Sequence, residues 1–156
     1  MTPLTDLIAR VEAASGPDRA LDGRVAWATG WRFNGFSRFT DDRDIEEAID
    51  RADFDDWPMM AGHWRQPGGD FCRGNFDMAK WPDPPRYTAS IDAVVALIRR
   101  EMPGASYGFS TNRNGFLAFV EWSVEPASWL HVWQPTEALA LLLAFLRAKA
   151  QQDETP

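Results

Sequence analysis

The sequence predicts an α+β domain in which a mainly antiparallel sheet is covered on both faces by helices. Three observations carry this. Apolar residues recur at helical spacing near the start (Leu4, Leu7, Ile8, Val11), in the second half (Ile91, Val94, Val95, Ile98) and at the end (Leu139, Leu142, Leu143, Leu146). Between the last two helices, Tyr107, Phe109 and Thr111 alternate, Asn112-Arg113-Asn114-Gly115 turns, and Phe116 to Val124 returns with Ala118, Val120, Trp122 and Val124 on one face. Strands of this kind need cover for their apolar side chains, and the flanking helices supply it.

Thr2-Pro3 opens the first helix as a capping hydroxyl followed by proline, and Gly16-Pro17 stops it. Asp18 caps a second helix bearing Leu21, Val25 and Ala28, which ends at Gly30, so the two read as a helical hairpin. Trp31–Phe39 alternates as a strand. Thr40 with Asp41, Asp42 and Asp44 in the next turn, then Ile45, Ala48, Ile49 and Ala52, describes a short acidic amphipathic helix. From Trp57 to Pro85 prolines, glycines and aromatics dominate, which reads as loops around one or two short strands near Phe71–Met78. Pro84-Pro85 gives a rigid lead-in, Thr88 or Ser90 caps the helix that follows, and Met102-Pro103-Gly104 ends it. Trp129–Trp133 adds a strand, and Pro135-Thr136 opens the final helix. The organisation is a single domain over 1–150 with an insertion at about 32–83 and a disordered tail at 151–156.

Net charge is −7, and it is local: nine acidic residues and two arginines lie between Asp41 and Asp56, leaving the rest of the chain neutral. Nucleic-acid binding requires a basic stripe, and none is visible. No apolar run approaches the roughly 18 residues of a membrane span. The N-terminus lacks the basic and apolar regions of a secretion signal, and Cys72 is the only cysteine. Together these point to the cytoplasm.

Three segments, LDGRVAWATGW (Leu21–Trp31), PPRYTASIDAVVALI (Pro84–Ile98) and EALALLLAFLRAKA (Glu137–Ala150), together resemble the phage ABA-sandwich domain proteins, small proteins of bacteriophages and prophages. The resemblance covers Leu4–Trp31 and Pro84–Ala150; Arg32–Asp83 has no counterpart. It implies a three-layer alpha/beta/alpha sandwich and a phage origin. It transfers no activity and no catalytic residue.

The residues themselves show no catalytic constellation. His63 and Cys72 lie nine apart with no second pair and His131 is remote, so a zinc site is not expected. Asp53, Asp55 and Asp56 are acidic enough to attract a weakly bound surface cation, but the run lacks the glycine and the distal glutamate of a calcium loop. No phosphate-binding glycine loop is present, and no cofactor is implied. A hydrolase built on Cys72 or His131 is the weakest reading.

Aromatic content is the stronger signal. Eight tryptophans are present, and Trp129, His131 and Trp133 fall on one side of a strand as a ligand or partner surface. Arg86 and Tyr87, beside the start of the central helix, form a second candidate because a helix N-terminus attracts anions. The acidic run through Asp53, Asp55 and Asp56, with Trp57 and Trp64 after it, forms a third, suited to a basic protein surface. In each case the plain alternative is a packed aromatic or a solvated charge. The expectation is a binding protein whose partner is a host or phage protein, with an inhibitor of host defence as one version. The alternative is a protein that sequesters a small, nucleotide-like ligand. A dimer is compatible with the pattern.

Overall fold

A computed structural model describes residues 4–35, 62–65, 67, 84–122 and 132–154. They form an α+β protein with five strands and four helices among the described residues: α1 (Leu4–Ala13), α2 (Arg19–Ala28), β1 (Arg32–Gly35), β2 (Gly62–Arg65), α3 (Ile91–Glu101), β3 (Ser106–Asn112), β4 (Gly115–Glu121), β5 (Val132–Gln134) and α4 (Glu137–Glu154). The chain divides into two compact units, one of Met1–Thr2 and Arg19–Pro85, the other of Pro3–Asp18 and Arg86–Pro156.

In the larger unit the antiparallel order is β3-β4-β5. A two-residue turn over Arg113-Asn114 joins β3 to β4, with Asn112 paired to Gly115. The Asn112 side chain accepts a hydrogen bond from the Asn114 N–H at 2.7 Å, the local closure that favours asparagine in turns. Gly115 follows with φ of 122°, and a Cβ there would sit 2.7 Å from the Gln134 carbonyl oxygen, so glycine is required for both reasons. Ala118 and Val120 are buried as expected. β4 ends at Glu121, so Trp122 lies past the ladder, and Val124 lies outside the described residues.

Helix α4 is the centre of this unit. It packs on all three strands, chiefly β4, and on its other sides against α1 and α3. Every residue from Ala138 to Leu146 is at most 4% exposed. The expected apolar stripe of Leu139, Leu142, Leu143 and Leu146 is therefore only part of a surface buried all round, as a helix with no polar face must be. The Thr136 side chain starts the helix by accepting the Leu139 N–H at 3.2 Å. The helix continues to Glu154, past the expected onset of the tail at 151: Gln and Glu are adequate helix formers, and extending an existing helix adds a bond per residue. Polar ties clamp its second half. Lys149 meets Glu101 of α3 at 3.4 Å, and Arg147 donates to Glu12 of α1.

Helix α3 begins with Ser90, whose Oγ accepts the Ala93 N–H at 3.3 Å, and carries Asp92 in its first turn and Arg99 and Arg100 in its last, an arrangement that complements the helix dipole. Its buried face is Val94, Leu97 and Ile98, while Ile91 and Val95 are half-buried. Thr88 does not cap. Its hydroxyl accepts the Asp18 N–H at 2.9 Å and lies 3.2 Å from the Asp18 carbonyl oxygen, to which it can donate.

In the smaller unit, α2 ends as foreseen. Gly30 has φ of 89°, its N–H reaches the Trp27 carbonyl, and the Trp31 N–H reaches that of Ala26, the paired bonds of a left-handed glycine cap. The buried apolar residues are Leu21, Val25 and Ala26, with Ala28 exposed. β1 pairs antiparallel with β2, Phe33 opposite Trp64 and Asn34 opposite His63. β2 falls earlier than the strand expected near Phe71–Met78. That strand, the acidic helix over 40–52 and Phe36–Phe39 lie outside the described residues. The two helices of the expected helical hairpin fall in different units, α1 with residues 86–156 and α2 with 19–85.

Candidate functional site

The sheet β3-β4-β5 has two unlike faces. Ala118 pairs with Val132, and both are buried with Val120 on the side that α4 covers. The alternate residues point the other way. There Leu117 stands opposite Trp133, Ser110 opposite Leu117, and Gly108 opposite Phe119. Trp133 is 44% exposed, and Leu117 and Phe119 are half-buried. Gly108 shapes this surface: a Cβ on it would lie 2.8 Å from Cε1 of Phe119, so the phenyl ring rests against the strand where any side chain would displace it.

The result is an apolar stripe across β4 and β5, rigid because it stands on paired strands and ending in an indole that carries one donor. Directly opposite side chains sit about 5 Å apart, so Trp133 and Leu117 present one continuous patch. Such a surface supplies apolar area and a hydrogen bond to a partner.

The sequence expectation placed Trp133 on one side of its strand and Val132 on the other. Trp133 is exposed and Val132 buried. Trp129 and His131 lie outside the described residues, as do Asp53, Asp55, Asp56, Trp57 and Cys72. Trp64 is placed by its backbone in β2, opposite Phe33. The Arg86–Tyr87 candidate separates into two environments. Arg86 is exposed, and its carbonyl accepts from the Ala89 and Ser90 N–H groups. Tyr87 is 2% exposed, because the turn over Tyr87–Ala89 carries its ring inward. It is a core residue rather than a surface one. At the start of α3 the Ser90 side chain accepts the Ala93 N–H, and Asp92 puts a negative charge in the first turn, which disfavours a second anion there.

One cluster was missed in the sequence. Asp22 and Arg24 in α2 are buried. Asp22 accepts from Arg19 Nη1 at 2.9 Å, and the same nitrogen reaches the Pro84 carbonyl at 3.2 Å. The available signal was Arg19 and Asp22 three apart on a helix whose apolar residues leave no wide polar face. Among the described residues no three His, Cys, Asp or Glu side chains gather as a metal site. Among the described residues, too, no helix is long and apolar enough to cross a membrane. No protein-family model, curated protein or solved structure matches the chain.

Proposed function

We propose that this chain is a phage- or prophage-encoded accessory protein that acts in the bacterial cytoplasm by binding a host or phage protein, with inhibition of a host defence system as its concrete form. In this reading the fold is the three-layer alpha/beta/alpha sandwich of the phage ABA-sandwich domain proteins. The observation that supports binding is Trp133: a tryptophan 44% exposed on a paired strand, opposite Leu117. Burying such a side chain in a partner is worth a few kcal/mol, whereas leaving it in water gains the fold nothing. The acidic run and the tryptophans of the segment 32–83 add area and charge to the same reading.

The experiment compares the intact chain with Trp133→Asp as bait in lysate of the host bacterium, with captured proteins quantified by mass spectrometry. Specific capture should fall at least tenfold, while circular dichroism and the unfolding midpoint stay close to those of the parent. A variant lacking Asp41–Asp83 tests the contribution of that segment. Undiminished capture by both variants overturns the proposal. A rise in melting temperature with a nucleotide, absent any captured protein, would favour sequestration of a small ligand instead.

A further inference from the structure

Strand β3 is an edge whose outward backbone groups can be assigned residue by residue. Asn112 and Gly115 close a two-residue turn, so they exchange both backbone hydrogen bonds, and pairs alternate from there. Ser106, Ser110 and Gly108 therefore direct their N–H and C=O groups to β4. Tyr107, Phe109 and Thr111 direct theirs away from it. Among the described residues no strand pairs with that side, and Phe109, Ser110, Thr111 and Asn112 are exposed.

Edges of this length are ordinarily protected by lysine, proline, a bulge or an inward-pointing charge. Ser106–Asn112 has no charged residue and no proline, and its pairing with β4 is uninterrupted. Phe109 is instead 45% exposed. It lies on the helix-covered face, opposite fully buried Ala118, but α4 sits chiefly over β4 and leaves the ring only partly covered at the margin.

We propose that β3 is a self-association edge, on which two copies of this chain pair antiparallel about Phe109 to make one six-stranded sheet. The sequence of the strand selects a second copy as the occupant, because it is complementary to itself in this register. Phe109 meets the partner's Phe109, giving an aromatic pair and two backbone bonds on the two-fold axis. Tyr107 meets the partner's Thr111, an aromatic beside a β-branched residue, and Gly108 meets the partner's Ser110 on the opposite face. Each is a favourable or sterically open cross-strand pair, no like charges face one another, and a two-fold contact closes without forming a fibre. This inference is independent of the function proposed above.

The test is the mass of the intact chain in solution. Sedimentation should show a concentration-dependent dimer of a 17.6 kDa chain. Phe109→Lys places two cations on the axis, and Thr111→Pro removes an outward donor that β4 does not use; each should weaken dimerisation at least tenfold with unchanged circular dichroism. Cross-linking gives a second readout. With Cys72→Ser as background, Phe109→Cys should form an interchain disulfide, since Cα atoms of such a pair lie about 5.5 Å apart, within disulfide reach. Asn112→Cys should not, its two copies being about 20 Å apart in this register. A chain that stays monomeric up to about 1 mM overturns the proposal. So does a dimer that survives both edge variants, or one that Trp133→Asp dissolves and Phe109→Lys leaves intact.

Discussion

Thr88 shows how much one side chain can decide. It is fully buried, and its hydroxyl bonds to both the N–H and the carbonyl of Asp18, 70 residues earlier. Thr88→Val keeps the shape and deletes both bonds, so it should lower stability by about 1–3 kcal/mol in urea unfolding. Thr88→Ser should recover most of that loss. In the sequence Thr88 and Ser90 were equal candidates for a helix cap. Ser90 takes the cap, and Thr88 is committed elsewhere because the preceding turn points it inward. Tyr87 follows the same logic: beside a helix start it suggested a surface, and the turn makes it core. Trp133 is the opposite case, since alternation along a strand is enough to separate it from buried Val132.

Helix α4 makes the corresponding point at the scale of an element. Its start at Thr136 was legible because a cap is a local hydrogen bond. Its environment was not, because EALALLLAFLRAKA fits a one-sided stripe as well as complete burial. The structure places strands on one side and α1 and α3 on the others, so Leu141 and Phe145 are as buried as Leu139 and Leu142. Leu142→Ala should therefore cost about 2–5 kcal/mol. Arg147→Ala, which breaks a half-exposed pair with Glu12, should cost at most about 1 kcal/mol, and less in high salt. Equal losses from the two substitutions would contradict the view that α4 is held by packing and only trimmed by charge. The hairpin β3-β4 was legible for the reason α4's start was: the turn residues and the alternation flanking it are contiguous.

For the whole molecule, the bonds from Thr88 acquire a second meaning. Asp18 and Arg86 are where the chain leaves and re-enters the larger unit, and Thr88 holds the two crossings together at hydrogen-bond distance. Residues 19–85 are thus an excursion from closely spaced ends, the arrangement in which inserted segments are tolerated. The segment expected as an insertion, 32–83, lies inside it; α2, expected in the main body, belongs to the excursion as well. Joining residues 1–18 to 86–156 through a short glycine-serine linker should give a chain that unfolds cooperatively in urea, with a sigmoidal transition by circular dichroism. A gradual, featureless loss of signal would show that the larger unit does not hold its core alone.

The sequence by itself determined what depends on a few consecutive residues: the glycine cap after α2, the two-residue turn into Gly115, and the alternation that sets Trp133 apart from Val132. These are matters of backbone sterics and short-range hydrogen bonding, and residue type is their direct cause. Only the tertiary structure decided which surfaces are inside. Tyr87 is core, Asp22 and Arg24 are buried, α4 is enclosed, and Phe109 is left only partly covered at a sheet margin, because burial depends on neighbours remote in the chain. One sequence read segment by segment does not say which neighbours those are.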